Sequence, residues 1–297
     1  MKVCIGCGQK FTNETWQCTS CNFEPEVING VYAFAPELAS ASDDIEPDFE
    51  GLYKHEVNSF WFRYRNSLII RALQLYFPNA KNFLEIGCGT GFVLSGIESK
   101  LPRLSLFGSE IYCKGLEFAK KRLKRTVLFQ MDACKIPFEN EFDVIGAFDV
   151  LEHIQDDHIV LREMFKSVKN GGGVILTVPQ HQLLWSFIDE ISCHKRRYSM
   201  RELKTKLEAA GFGILYMTSF VTFLFPFMIL SRFQQRYSSK KKNRNEVQTG
   251  LQISPMLNVF FENICKFEEK VLRSGVSFPF GGSLLAVAVK RDKRSIK

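Results

Sequence analysis

The chain has 297 residues, of which 45% are hydrophobic, so it can bury one α/β core of ordinary size and a small additional module. The net charge of +7 is uneven: residues 1–50 carry two lysines against nine acids, or −7, and the remainder therefore carries +14. This surplus favours an anionic partner, whether nucleic acid, membrane headgroups or a phosphorylated substrate. Lys2 and Cys4 lie where a signal peptide would need apolar residues, so we expect no secretory signal peptide and a reducing, cytoplasmic compartment for the nine cysteines.

Four cysteines near the N-terminus have the spacing of a metal site. Cys4 and Cys7 form one C-x-x-C pair, Cys18 and Cys21 form a second, and ten residues separate the pairs. Two such pairs place four thiolates around one ion, which predicts a closed and structural tetrahedral site. We expect zinc, with iron as the alternative for the same ligands. The sequence thus predicts a zinc-ribbon module at residues 1–35.

Residues 36–50 are acidic and are predicted to link this module to a main domain at residues 51–297. The domain is expected to open with a helix from Glu56 to Leu75. Its aromatic residues predict a face that packs on the core.

The segment from Phe83 to Gly91 combines a buried strand with a glycine-rich turn. An apolar run containing Glu85 precedes Gly87, Gly89 and Gly91, and a helical pattern follows. Glycines after a buried parallel strand allow a tight turn and a close approach to a ligand. The spacing acid-x-G-x-G-x-G differs from the G-x-G-x-x-G of dinucleotide sites, and it suits a cofactor with a cationic part. We predict a nucleotide-sized pocket at the carboxyl edge of a sheet.

Four further strands are predicted, and three of them end in an acid. Glu110 lies 19 residues after Gly91, where a carboxylate meets ribose hydroxyls in nucleotide-binding α/β folds. Asp132 and Asp149 end the next two strands. The four predicted strands are residues 103–110, 126–133, 142–149 and 171–179.

The order of these elements resembles that of class I S-adenosylmethionine (SAM)-dependent methyltransferases. The glycine turn is similar to their motif I, and Val150–Ile154 is similar to the motif after their fourth strand. The resemblance covers about residues 50–220. It implies an α/β fold with a Rossmann-like seven-stranded sheet, an antiparallel last strand, and methyl transfer from SAM. The zinc module resembles small modules fused to, or partnered with, bacterial methyltransferases.

The resemblance also implies which residues hold SAM. Glu85 and the glycine loop are expected at the methionine end, Glu110 at the ribose and Asp132 at the adenine. Arg65 and Asn66 are expected to meet the methionine carboxylate, and Asp149 is expected near the methionine moiety. The residues predicted to bind the cofactor are Glu85, Gly87, Gly89, Gly91, Glu110, Asp132, Ala133 and Asp149.

A polar string follows the fifth predicted strand. Residues 189–199 read D-E-I-S-C-H-K-R-R-Y-S and resemble the substrate-side loop of methyltransferases associated with bacterial surface-sugar or lipid biosynthesis. His194 is the predicted general base, because imidazole accepts a hydroxyl proton near neutral pH. His153 and His181 are alternatives for this role. The residues predicted to bind the acceptor are Arg196, Arg197 and Tyr198.

A helical insertion is predicted between the last two strands, 213–218 and 283–289, at about residues 221–282. Its apolar run at 220–230 is too short to span a bilayer, and residues 257–272 form an amphipathic helix. An apolar helix followed by basic residues predicts attachment to an anionic membrane surface, and the alternative is a cap over the pocket. The basic residues are Arg232, Arg236, Lys240, Lys241, Lys242 and Arg244.

The sequence therefore predicts methylation of an oxygen on a small anionic or lipid-linked acceptor, such as a glycan precursor. We expect a cytoplasmic enzyme, peripheral on the inner face of the membrane. An RNA base methyltransferase is the first alternative. It is less favoured because no groove of interleaved basic and aromatic residues is evident. A non-catalytic SAM-binding scaffold protein is the second alternative.

Overall fold

The structure, a computed structural model, describes residues 1–40, 47–237 and 254–291, with the backbone alone over 233–237. The strands in these ranges are β1 (Lys2–Val3), β2 (Lys10–Phe11), β3 (Glu26–Ile28), β4 (Val31–Ala33), β5 (Asn82–Ile86), β6 (Ser105–Glu110), β7 (Val127–Gln130), β8 (Phe142–Phe148), β9 (Val168–Pro179), β10 (Phe212–Phe220) and β11 (Ser283–Lys290). The α-helices are α1 (Phe49–Glu56), α2 (Phe60–Tyr76), α3 (Phe92–Lys100), α4 (Cys113–Arg122), α5 (Asp157–Ser167), α6 (Phe187–Ile191), α7 (Met200–Ala209), α8 (Phe225–Tyr237) and α9 (Pro255–Arg273).

One mixed sheet forms the centre of the molecule, in the order β10-β11-β9-β8-β5-β6-β7-β4-β3. Strand β5 pairs in parallel with β6 and β8, while β11 runs antiparallel to both β9 and β10. Parallel strands covered on both faces are continuous apolar runs, and Phe83, Leu84 and Ile86 of β5 are all fully buried. The predicted fold class, an α/β methyltransferase-like sheet with an antiparallel last strand, is confirmed.

The sheet has two more strands than the seven predicted, and both come from the N-terminal segment. Strand β4 pairs in parallel with the edge strand β7, and β3 pairs with β4. The buried side chain of Gln130 strengthens this junction: its Oε1 accepts from the N–H of Ala35 (3.0 Å) and its Nε2 donates to the Ala35 carbonyl (2.7 Å). Residues 26–33 are therefore continuous with the main sheet.

Trp16 anchors the cysteine-containing segment to this sheet edge. Its side chain is 6% exposed, and its ring centroid lies 4.5 Å from that of Phe34, 5.4 Å from Phe138 and 6.1 Å from Phe129. The Lys2 ammonium lies 4.7 Å from the indole centroid. Because Phe129 and Phe138 belong to the main domain, this cluster joins the two parts through one apolar core.

The helix predicted from Glu56 to Leu75 is wrong at its start. Glu56 closes α1, and α2 begins at Phe60, with Ser59 in an extended conformation between them. The intervening Asn58 and Ser59 favour helix caps over helix interiors, because their side chains compete for backbone hydrogen bonds. Glu56 therefore belongs to α1 and not to α2.

The predicted insertion packs partly on the main domain through α9 and α2. Glu268 of α9 is fully buried, and its carboxylate accepts from the Tyr64 hydroxyl (2.8 Å) and from the N–H groups of Thr222 (2.7 Å) and Phe223 (2.9 Å). The basic residues Lys240, Lys241, Lys242 and Arg244, the side chain of Arg236 and the linker residues 41–46 lie outside the described part of the chain. Among the described residues, no helix combines the length and hydropathy needed to cross a bilayer.

Replacing Trp16 should destabilise the whole protein, because its cluster joins the N-terminal segment to the main domain. Trp16→Ala is expected to lower the free energy of unfolding by about 3–5 kcal/mol, as for other buried aromatic truncations. Urea denaturation followed by circular dichroism measures the change. The control, Leu75→Ala, removes a side chain that is 57% exposed and should stay within about 0.5 kcal/mol of wild type. Equal effects of the two substitutions would contradict the anchoring role.

Candidate cofactor and acceptor site

The glycine turn after β5 has the backbone conformation that only glycine adopts freely. Gly87, Gly89 and Gly91 have φ values of +66°, +51° and +76°. A Cβ at Gly87 would lie 2.5 Å from a methyl group of Val150, whereas a Cβ at Gly89 would meet no atom closer than 4.0 Å. The first glycine is thus required by packing, and the second leaves open space beside the backbone where a ligand can approach.

Two carboxylates flank this turn, as the sequence predicted. Glu85 is 2% exposed, and one of its oxygens has no hydrogen-bond partner within the described residues. Glu110 is 8% exposed and accepts from the N–H groups of Gly89 (2.9 Å) and Ile111 (2.8 Å). Burial raises the pKa of both carboxyls, that of Glu85 well above its ordinary range. Buried acids with perturbed pKa values are typical of functional sites.

The next acids lie at the same edge of the sheet. Asp132 directly follows Met131 at the end of β7 and accepts from the N–H of Cys134 (2.8 Å), with Ala133 buried between them. Asp149 follows β8 in a left-handed conformation (φ +57°). Because parallel strands present their carboxyl ends at one edge, the structure brings these acids to the same side of the sheet as the glycine turn.

Asp149 is paired with Arg65 of α2, so the structure joins two residues that the sequence assigned to the methionine end. The Arg65 guanidinium donates to Asp149, and Thr177 Oγ1 donates to the same carboxylate at 3.3 Å. Arg65 is only 7% exposed, and its Nε has no partner among the described atoms. Asn66, on the same helix, leaves its Oδ1 unpartnered. The Arg65 Nε can therefore donate to an anionic group of a ligand, whereas the Asn66 amide packs against α3, with its Nδ2 donating to the Phe92 carbonyl (3.3 Å).

Helix α1 covers the glycine turn, and sequence reasoning missed this. Phe49 is 3% exposed and supplies the atom nearest to the open side of Gly89. At the other end of α1, Glu56 forms a buried ion pair with Arg122 of α4 (2.6 Å). The pair joins residues 66 positions apart, and no local pattern indicates it. The predicted linker at 36–50 thus overlaps the start of a helix that covers the site.

On the acceptor side, Asp189 organises the polar string. It is fully buried, and its carboxylate binds His194 Nδ1 (2.9 Å), Arg197 Nε (2.7 Å) and Arg197 Nη2 (3.1 Å). Burial alone would raise the pKa of Asp189, but the hydrogen bonds from His194 and Arg197 outweigh it and hold the pKa well below its usual value. An ionised Asp189 fixes the Nδ1–H tautomer of His194 and leaves Nε2 as the proton-accepting nitrogen.

The structure brings together two of the three candidate histidines. The imidazole centroids of His153 and His194 lie 4.7 Å apart with their planes at 85°. His181 lies instead among aromatic rings, 5.3 Å from Phe225 and 6.0 Å from Phe280 between centroids. The His153–His194 pair is therefore the better placed for proton transfer.

The three residues predicted to bind the acceptor make contacts within the protein. Tyr198 is fully buried, and its hydroxyl donates to Asp157 (2.7 Å). Arg196 pairs with the same aspartate (3.1 Å), and Arg197 is held by Asp189. These contacts fix the conformation of the loop that carries His194. Their direct contact with an acceptor stays a prediction.

Glu152 lies beside the histidine pair, within the Val150–Ile154 segment that resembles the motif after the fourth strand of class I methyltransferases. Its side chain is fully buried, and neither carboxylate oxygen has a hydrogen-bond partner among the described residues. Burial and the nearby Asp149 raise the pKa of Glu152 well above its ordinary value. Its backbone carbonyl accepts from the N–H of Lys195 (2.6 Å), which ties the loop after β8 to the polar string.

The four N-terminal cysteines converge as their spacing predicted. Their sulfurs all lie within 4.8 Å of one another, with Cys4 and Cys21 3.6 Å apart and Cys7 and Cys18 3.7 Å apart. Sulfurs around a tetrahedral zinc ion, at bonds near 2.3 Å, are separated by about 3.8 Å. The residues present therefore fit a tetrathiolate metal site.

Comparisons with known proteins agree with this geometry. The family model "Methyltransferase domain" matches residues 53–216. Among curated relatives, demethylmenaquinone methyltransferase of Thermotoga maritima is 32% identical over 33% of this chain and 43% of its own length. Ubiquinone biosynthesis O-methyltransferase of Nitrosomonas europaea is 26% identical over 44% of this chain and 55% of its own. The chain thus spans about half or less of the length of these relatives.

Solved structures show the same fold. A chain in the complex between the Haloferax volcanii Trm112 methyltransferase activator and a methyltransferase superimposes with a TM-score of 0.56 at 15% identity, over 84% of this chain and 98% of that one. The family model covers more than half of the present chain, including the glycine turn, all four acids and Glu152. The chain therefore belongs to the methyltransferase-domain family.

Proposed function

We propose that this protein transfers a methyl group from SAM to an oxygen atom of a lipid-linked or small anionic acceptor. The observation that carries the proposal is the open backbone at Gly89, whose N–H donates to the buried carboxylate of Glu110 (2.9 Å). The buried Glu85 precedes the same turn, and the Arg65–Asp149 pair lies at the same edge of the sheet. SAM supplies a methyl group on a positively charged sulfur. A buried pocket lined by carboxyl groups favours such a ligand over one with two phosphates.

The residues present fit each part of SAM. We assign Glu110 to the ribose hydroxyls and Asp132 to the adenine. Arg65 is suited to the methionine carboxylate, which leaves Asp149 and Glu85 for the ammonium group. Glu85 and Arg65 each keep a buried polar atom without a hydrogen-bond partner among the described residues, and a bound ligand would supply one. Holding donor and acceptor in line supplies most of the catalysis.

We place the loss of the acceptor proton at the His153–His194 pair. Asp189 orients His194 through a hydrogen bond with Nδ1, so Nε2 is the nitrogen that accepts the acceptor's proton. The acceptor oxygen forms a bond to the methyl carbon while the carbon–sulfur bond breaks and its electron pair returns to sulfur. The charges balance, because the sulfonium becomes a neutral thioether as the hydroxyl proton leaves.

An exposed apolar surface supports a lipid-linked acceptor. We define the apolar rim as the exposed residues Phe223, Phe227, Leu230, Phe267 and Phe280, each 38–59% exposed. Large contiguous apolar surfaces mark interaction sites on monomeric proteins. Both relatives described above are named for quinone substrates or quinone biosynthesis, which agrees with an acceptor of this class.

The apolar rim is connected to the acceptor side of the site by hydrogen bonds. Arg197, which Asp189 holds, donates to the Gln180 carbonyl (3.2 Å), and the Gln180 side chain donates to the Pro279 carbonyl beside Phe280 (3.2 Å). We therefore propose that the rim rests on a membrane surface and admits the acceptor there. The excess of 14 positive charges after residue 50 favours an anionic surface.

We also propose that the four cysteines bind a structural zinc ion. The site is closed, with four protein ligands, and it lies next to Trp16 and β4 at the sheet edge. Zinc binding would then stabilise the edge that the N-terminal segment covers. A closed site offers no position for a substrate.

Calorimetry with SAM tests the cofactor proposal. Glu85→Gln should weaken SAM binding about 10- to 100-fold, because a hydrogen bond to a charged group contributes about 1.5–3 kcal/mol. The exposed carboxylate Glu208 provides the control, and Glu208→Gln should bind SAM as wild type does. Unchanged SAM affinity in Glu85→Gln would remove the main support for the pocket.

In the absence of ligand, the stability of Glu85→Gln relative to wild type should increase as the pH rises. Burial raises the folded-state pKa of Glu85 above its ordinary value of 4.5, so ionisation above pH 4.5 costs folding free energy that a neutral glutamine does not. Differential scanning fluorimetry should show the melting temperature of Glu85→Gln exceeding that of wild type by more at pH 8 than at pH 5. A smaller difference at pH 8 would contradict the assigned burial.

Vesicle binding tests the acceptor class. Wild type should co-sediment with vesicles of phosphatidylcholine and phosphatidylglycerol, and Phe227→Ser/Leu230→Ser should bind them about tenfold more weakly because apolar area is lost. Leu75→Ser, which changes an exposed leucine outside the rim, is the control. Salt-sensitive RNA binding without vesicle binding would favour an RNA base methyltransferase. SAM binding without turnover on any acceptor would favour the scaffold alternative.

Zinc content tests the metal proposal at the cysteines. Cys7→Ser/Cys21→Ser removes the two exposed ligands and should lose one zinc ion per chain and lower the melting temperature. Cys113→Ser, a partly buried cysteine of α4, should retain the zinc content of wild type. Elemental analysis by mass spectrometry gives the stoichiometry. Full zinc occupancy in the double variant would refute the site.

A further inference from the structure

We infer that Gln180, His181 and Ser219 bind the uncharged, hydroxyl-bearing head of an amphipathic acceptor next to the apolar rim. Each of these side chains keeps one buried polar atom that has no hydrogen-bond partner among the described residues. The three atoms are Gln180 Oε1, His181 Nε2 and Ser219 Oγ. The inference rests on the proposed function and narrows its acceptor to a molecule with an apolar tail and a neutral polar head.

The three side chains lie at the same edge of the sheet as the glycine turn. Strands β9 and β10 are both antiparallel to β11, and β9 runs parallel to β8, which runs parallel to β5. Gln180 and His181 directly follow β9, and Ser219 is the last residue but one of β10. In the sheet order, β9 and β10 lie on the other side of β8 from Glu110 and Asp132. The cluster is therefore on the acceptor side of the site.

One turn of the chain contacts the first two of these side chains. We define the entry turn as residues 278–282, which lead into β11. Gln180 Nε2 donates to the Pro279 carbonyl (3.2 Å). The Phe280 ring stacks on His181, with their centroids 6.0 Å apart and their planes at 23°. The unpartnered atoms of Gln180 and His181 thus belong to side chains that the entry turn holds in place.

Ser219 lies against the same turn. Its N–H donates to the Phe278 carbonyl (2.8 Å), and a Cβ at Gly281 would lie 3.0 Å from the Ser219 Cβ. The Ser219 side chain is fully buried. The entry turn therefore gathers three side chains whose polar atoms are unpaired.

Unpaired polar atoms in one place indicate a missing binding partner. Leaving a buried donor or acceptor without a partner costs folding free energy, and native proteins contain few such groups. Gln180 is 1% exposed, so bulk water does not supply its partner. A ligand with several polar groups would pair with these atoms together.

Backbone strain occurs at the same two strand ends. His181 has a φ of +61°, and Val221, two residues after Ser219, has a φ of +59°. A β-branched residue in this conformation is an outlier, and such residues cluster at ligand-binding sites. The strain is independent of the hydrogen-bond pattern and points to the same place.

The chemistry of the three groups favours a neutral hydroxyl-bearing head. Gln180 Oε1 only accepts, so the ligand must donate to it, whereas the Ser219 hydroxyl donates or accepts. Burial and the charge of Arg197 lower the pKa of His181 below its ordinary value of 6.5, so the imidazole is neutral at pH 7. Arg197 is itself paired with Asp189. Hydroxyl groups donate and accept, whereas an ionised phosphate only accepts.

The apolar rim begins at this cluster. Phe280 belongs to both, because its ring stacks on His181 and is 59% exposed. Phe225 packs near the same imidazole, with centroids 5.3 Å apart. Side-chain rotations are common when ligands bind, and rotation of the exposed Phe280 ring would admit the head. The tail of the acceptor would then lie along the rim.

Calorimetry with 4-octylcatechol tests the inference. This probe joins an uncharged head with two hydroxyls to an apolar tail, and octyl phosphate carries an anionic head on the same tail. We expect wild type to bind 4-octylcatechol about tenfold more tightly than octyl phosphate. Ser219→Ala and His181→Phe should each weaken binding of 4-octylcatechol about five- to tenfold, as for the loss of one hydrogen bond. The phenylalanine retains an aromatic ring beside Phe280.

The melting temperature separates binding from a structural role. Ser219→Ala removes an unpaired buried hydroxyl, so this variant should melt at the temperature of wild type or above it. The control is Ser167→Ala, which removes an equally buried hydroxyl that donates to the Phe138 carbonyl (2.9 Å). It should melt at a lower temperature than wild type and bind 4-octylcatechol with unchanged affinity. Circular dichroism shows whether each variant is folded.

Three results would overturn the inference. Wild type might bind no 4-octylcatechol, or it might bind octyl phosphate more tightly. Alternatively, folded Ser219→Ala and His181→Phe would both bind 4-octylcatechol as wild type does, as expected if buried water alone pairs with these atoms. SAM binding without 4-octylcatechol binding would refute the head-binding cluster alone, and the reverse result would refute methyl transfer alone.

Discussion

Carboxylates held away from water at the carboxyl edge of the sheet are the constraint on which this site depends. Glu85, Glu110 and Glu152 are each less than 9% exposed, and burial raises the pKa of all three. Such groups reduce stability in the free protein, because desolvating a charge costs more than a single hydrogen bond returns. The same groups favour a cationic ligand. Their burial therefore lowers the stability of the free protein and increases its affinity for such a ligand.

The N-terminal segment contributes to the fold rather than only preceding it. An exposed edge strand such as β7 offers unpaired N–H and C=O groups to other chains. Here β4 pairs with β7, and Gln130 and the cluster around Trp16 hold the segment in place. The segment then continues to Phe49 of α1, which lies over the glycine turn. The sheet edge and the cofactor pocket are thus covered by one stretch of chain.

Asp189 has the corresponding role on the acceptor side. It binds His194 and Arg197, while Asp157 binds Arg196 and Tyr198, so four residues that the sequence assigned to chemistry or substrate depend on two buried aspartates. Arginines paired in this way hold the loop that carries His194 in one conformation. The apolar rim lies where this loop meets the insertion, which places a hydrophobic surface next to a charged site.

The sequence by itself determined where the main strands lie along the chain, the glycine turn and the positions of the acids, because apolar runs and glycine spacing are local properties of the chain. It also determined the convergence of the four cysteines through their paired spacing. Only the tertiary structure decided three features around the site: the β4–β7 pairing, the Glu56–Arg122 ion pair and the burial of Glu152, whose carboxylate oxygens have no hydrogen-bond partner among the described residues. The first two join residues far apart in sequence, and burial depends on packing from every side, so no local pattern of residues encodes them.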